Sequence, residues 1–147
     1  MNWHEKHKAL WLAMAEQAED LAKEWRYNAT HDILPTHMFL SEYKKSLIAE
    51  LWPDEPYIYN GCFACAETDK IIAGSEWLEE DDMCDICPLK WPDGLTCDDD
   101  CSLYDSFIDA LSYGTVEEVK ELCIQIAEVP ACSDKELEEK IHDTIDG

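Results

Sequence analysis

Basic residues are scarce in this chain. Thirty-four Asp and Glu face eleven Lys and Arg, for a formal net charge of −23 at pH 7. A field of that sign repels phosphate backbones, which argues against direct nucleic-acid binding through a basic stripe. Glycine is also sparse, at five residues, and neither a glycine-rich phosphate loop nor a Gly-x-Ser-x-Gly elbow exists. No apolar run approaches the roughly eighteen residues of a membrane span. The start, Met1 to Lys6, lacks the apolar stretch of a signal peptide. The expected setting is soluble, reducing and cytoplasmic.

A catalytic constellation is missing too. His4-Glu5 is followed by His7, one residue short of the metalloprotease spacing. His31, His37 and His142 stand alone in sequence, and no His-x-Glu precedes a Pro-Cys-x-x-Cys. Acids are too abundant for a catalytic pair to be singled out. The expectation is a protein that is not an enzyme.

What the chain does have is cysteine. Cys62-Phe63-Ala64-Cys65 is followed after eighteen residues by Cys84-Asp85-Ile86-Cys87. Two Cys-x-x-Cys knuckles at this separation fit a four-thiolate zinc site, which is structural because four protein ligands close the shell. Paired disulfides, a redox Cys-x-x-Cys and iron in place of zinc are the competing readings. Cys97 or Cys101 is an alternative ligand. The intervening Asp98-Asp99-Asp100 lacks the order of a calcium loop. Within the eighteen-residue insert, Asp69-Lys70 and Ala73 to Ser75 read as turns, Ile71-Ile72 as a short strand and Glu76 to Asp81 as a helical turn.

Apolar periodicity predicts helices on either side. Trp3, His7, Leu10, Trp11, Met14, Ala18, Leu21, Ala22 and Trp25 recur at three- and four-residue steps, giving one long helix over 3–27 and a loop over 28–35. Phe39, Leu40, Tyr43, Leu47, Ile48 and Leu51 mark a second helix over 36–51. Tyr57 to Tyr59 reads as a short strand. Ser102 is placed to cap a helix facing inward through Tyr104, Phe107, Ile108 and Leu111. Thr115 with Glu118, and Ser133 with Glu136, form capping boxes for the last two helices. Cys123 reads as a small buried apolar residue.

The fold expected is mainly α, a single domain over 1–147. A helical part (1–60) and acidic helices (102–147) pack around a central irregular zinc knuckle (61–101) with at most a short β-hairpin. Charge is uneven across it. Residues 1–60 hold ten acids and six bases, and residues 61–147 hold twenty-four and five. The acidic half favours a basic protein partner, with nucleic-acid mimicry as its physical logic. A nucleic-acid-binding zinc module and a metal-dependent hydrolase are the alternatives.

Gly61 to Ala66, the segment Met83 to Pro92 with its Cys-Pro-Leu-Lys-Trp-Pro core, and Ile124 to Pro130 resemble a family of small proteins encoded by tailed bacteriophages, as does Trp3 to Leu12. That resemblance implies a zinc-type knuckle at Cys62, Cys65, Cys84 and Cys87, and no settled activity. Typical members have an Asn-Pro-rich turn after the first helix, where this chain continues through Trp25 and adds 36–51.

Overall fold

A computed structural model describes residues 2–55, 62–79, 82, 86–92 and 102–146, apart from the side chains of His37 and Asp146. Among these residues the chain is helical, with α1 (Trp3–Glu16), α2 (Ala18–His31), α3 (Thr36–Leu51), α4 (Phe63–Ala73), α5 (Leu103–Tyr113), α6 (Val116–Ala127) and α7 (Asp134–Asp146). No strand occurs among them; a lone antiparallel bridge joins Leu89 to Ala131. No helix is long and apolar enough to cross a membrane.

The expected helix over 3–27 is two helices, and the second runs on to His31, which leaves 32–35 of the loop expected over 28–35. Gln17 leaves helical geometry (φ −102°, ψ 17°), while its N–H still reaches the Ala13 and Met14 carbonyls. The Tyr43 hydroxyl donates to Gln17 Oε1 at 2.8 Å and ties the kink to α3. The apolar rhythm passes through the break without a slip, because Met14, Ala18, Leu21, Ala22 and Trp25 are all buried. The kink lets α1 lie on α6 and α4 while α2 turns to α5 and α3.

The helix starts follow capping chemistry. Ser102, Thr115 and Ser133 hydroxyls accept from the N–H of Asp105, Glu118 and Glu136. At Ser133 the box is reciprocal, since Glu136 accepts from the Ser133 N–H at 3.1 Å. The core is one cluster. Trp11 meets Phe107 edge-on at 5.1 Å, and Leu10, Met14, Leu21, Leu111, Val119, Cys123 and Ile126 are almost wholly buried. Burial pushes the Cys123 thiol up to about 12, so it sits there as an uncharged apolar group. On α3 the inward stripe is Leu40, Lys44, Leu47 and Ile48, whereas Leu51 is exposed. The expected strand over 57–59 lies outside the described residues.

His4 and His7 pin α1 to the far end of α6. Their Nε2 atoms lie 2.9 Å from the Val129 carbonyl and 3.0 Å from the Ile126 carbonyl. A carbonyl only accepts, so each ring carries its proton on Nε2.

Candidate functional site

The first knuckle starts a helix. Cys62 is the N-cap of α4, and its Sγ accepts from the Cys65 N–H at 3.4 Å. Helix α4 then runs to Ala73, so the turn at Asp69-Lys70 and the strand at Ile71-Ile72 give way to continuous helix. Of the expected turns only Gly74 and Ser75 stand outside it. Phe63, Ala64 and Thr68 explain this, since they form a buried face at helical spacing. Of the helical turn expected over Glu76 to Asp81, Glu76 and Trp77 instead form a bend, with Trp77 exposed, and the Asp82 N–H donates to the Glu79 carbonyl at 3.0 Å in a 3₁₀ turn; Glu80 and Asp81 lie outside the described residues.

The Cys62 thiol is held below the ordinary thiol range. A hydrogen bond from the Cys65 side chain, the nearby Lys44 cation and the N–H groups of Cys65 and Ala64 hold it down to about 6, against the opposing effect of burial. Lys44 is itself 6% exposed and lies 5.8 Å from the ring centroids of both Trp11 and Tyr104.

Cys87 faces the same neighbourhood from the second knuckle. Burial pushes its thiol up, and the Cys62 charge adds to the rise. The Leu89 N–H, Trp91 and Lys140 oppose it. The Trp91 indole N–H is buried and lacks a partner of ordinary hydrogen-bond geometry. The group it bears on is the Cys87 sulfur.

The exit from this knuckle is fastened from the C-terminal side. The Lys90 N–H donates to Pro130 O and the Cys132 N–H to Pro88 O, each at 2.7 Å. Lys140 Nζ donates to the Cys87 carbonyl at 2.9 Å and to Leu89 O at 3.4 Å. Lys90 pairs with Glu136 at 2.8 Å, which holds the Glu136 carboxyl down at about 2. Ile86 and Leu89 are buried beneath.

Of the four expected ligands, Cys62, Cys65 and Cys87 thus share one locality. Cys84, like Cys97, Cys101 and the Asp98 to Asp100 run, lies outside the described residues. Among the described residues no three His, Cys, Asp or Glu side chains converge tightly enough to form a finished metal site. Cys62, Cys87, Cys123 and Cys132 form no disulfide. Sequence reading passed over Lys44, Lys140 and Trp91. A lysine on the apolar stripe of α3 was the one legible signal; the other two depend on contacts distant in sequence.

Comparison with protein-family models, with curated proteins and with solved structures gave no match.

Proposed function

We propose that this is an acidic, phage-type interaction protein. It binds a host protein, a nucleic-acid-handling or anti-phage defence factor, through that partner's basic surface and blocks it. The observation that carries this is the charge: −23 overall, with twenty-four acids against five bases in residues 61–147. Such a surface competes for sites that otherwise grip phosphate. The two bases nearest the knuckles in sequence are already occupied, Lys70 by Glu67 and Lys90 by Glu136, which speaks against the nucleic-acid-binding alternative.

A structural zinc ion on Cys62, Cys65, Cys84 and Cys87 belongs to the same proposal. The donor set supports it. The Cys62 thiol is held low, and the Trp91 N–H, without a partner among the described residues, bears on the Cys87 sulfur. Four thiolates on a divalent ion leave a double negative charge, and Lys44 and Lys140 bring two cations to that place in a chain with few. The ion supplies closure of the irregular middle segment, not chemistry.

Two measurements test the proposal. Elemental analysis should return about one zinc per chain. Capture from host lysate should yield a partner that is lost as salt rises. Capture indifferent to ionic strength would remove the electrostatic part, and a metal-free, fully folded protein would remove the zinc.

A further inference from the structure

The structure assigns a second feature to partner binding, on the opposite kind of surface from the acidic half: a groove between α2 and α3. We propose that it takes a basic amphipathic helix of a partner protein. This rests on the reading above that the protein binds another protein, and moves the principal contact to residues 17–50.

Two open clefts of about 410 Å³ and 560 Å³ lie along these helices and share Glu24, Leu34 and Phe39, so they form one continuous trough. Its floor is apolar and fixed. Phe39 packs edge-on against the buried Trp25 at 5.8 Å and stacks with Tyr43 at 6.4 Å. The connecting loop is locked by the buried Asn28, whose side chain donates to Leu34 O and accepts from Leu34 N–H, both at 3.0 Å. The lock turns Ile33 outward at 58% exposure, and Tyr27, also 58% exposed, lines the same cleft. Exposed apolar groups gathered around a rigid trough mark a contact surface rather than chance exposure.

The rim decides what fits. Asp20 and Glu24 stand on α2, Glu42 and Glu50 on α3, and Lys23 is the one base lining either cleft. Glu42 reaches Lys45 at 3.6 Å; Asp20, Glu24 and Glu50 make no ion pair among the described residues. Their field is felt inside the groove, where burial together with Glu24, Asp20 and Glu50 pushes the Tyr43 hydroxyl up to about 12. An apolar floor between unpaired carboxylates suits a helix with an apolar stripe flanked by Arg or Lys. A second copy of this chain, at −23, is repelled from such a rim, and so is nucleic acid.

The probe is a fluorescein-labelled helical peptide with Leu at i, i+3, i+4 and i+7 and Arg on both flanks, followed by anisotropy. Controls are the same composition scrambled to break the stripe, and the stripe with Glu in place of Arg. We expect micromolar binding of the first peptide only. The triple variant D20N/E24Q/E50Q should weaken it roughly tenfold and flatten its salt dependence. I33S should weaken it roughly threefold at unchanged salt dependence. Neutralising Glu138, Glu139 and Asp143 on α7 (E138Q/E139Q/D143N) should leave it unchanged. All these positions are exposed, so the fold is retained, as far-UV circular dichroism will verify.

Equal binding of the scrambled peptide, equal loss in the α7 variant or no binding by the wild type would overturn the proposal. Lysate capture separates the two readings. A salt-sensitive partner kept by the triple variant sinks the groove and spares the function. Peptide binding without any captured partner sinks the function and spares the groove.

Discussion

Acidification should loosen this protein through His7. The ring is 3% exposed on α1, and burial lowers its pKa from 6.5 to about 4, with the His4 and Lys44 charges adding to the drop and the Ile126 carbonyl opposing it. The unfolded chain therefore takes up a proton near pH 6.5 that the folded chain refuses until about pH 4. The stabilisation is fully present above pH 6.5 and is lost as pH falls from there toward 4. A gap of that size corresponds to roughly 3 kcal/mol when complete, of which about 2 kcal/mol is lost between pH 7 and pH 4.5. The assay is urea unfolding of wild type and of His7→Gln at both pH values. Glutamine keeps a donor for the Ile126 carbonyl but does not titrate. The variant should lose about 2 kcal/mol less on acidification, since the many carboxylates affect both proteins alike. A second readout needs no variant: the His7 ring resonances should titrate near pH 4. Equal acid sensitivity of the two proteins, or a His7 midpoint near 6.5, would refute the reasoning.

Other outcomes follow from the same structure. Treating the zinc-loaded protein with a strong chelator should raise hydrogen exchange in residues 62–92 first, while α5 and α6 amides keep their protection. Lys44→Met should weaken metal retention in a chelator competition by about tenfold, with Lys44→Arg recovering most of it. Gly114→Ala should destabilise by about 1–3 kcal/mol in urea unfolding, because the added Cβ would stand 2.9 Å from the Ala110 Cα. Ser133→Ala should cost about 1 kcal/mol, read as fraying of α7 by exchange at its first turn.

How much of this was legible beforehand depends on the range of the physics. Capping is local, and Ser102, Thr115 and Ser133 announce their helices correctly. The stripe from His7 to Trp25 names the buried face residue by residue, yet hides the kink at Gln17, because the break costs no apolar register. The start of α4 was obscured by its cap: cysteine is not among the usual capping residues, so Cys62 read only as metal chemistry. Its sulfur nonetheless caps the helix, accepting the Cys65 N–H. The surroundings of Cys87 were illegible for another reason. Residues 130–140 build them, and no local pattern says that a chain will fold back across so many residues. The groove along α2 and α3 was hidden in the same way, since Asp20 and Glu50 both come to act on Tyr43 only in three dimensions.

The clasp of Lys140 on the Cys87 carbonyl sets a timetable for synthesis. Those two residues are fifty-three apart. At roughly 5–20 residues per second, a ribosome needs several seconds to make that length. Throughout that interval α1, α2 and α3 are already available to associate, whereas Cys87 lacks the lysine that clasps its carbonyl and Leu89 lacks its bridge partner Ala131. A nascent chain thus carries a partly assembled cysteine cluster whose last fastening arrives late.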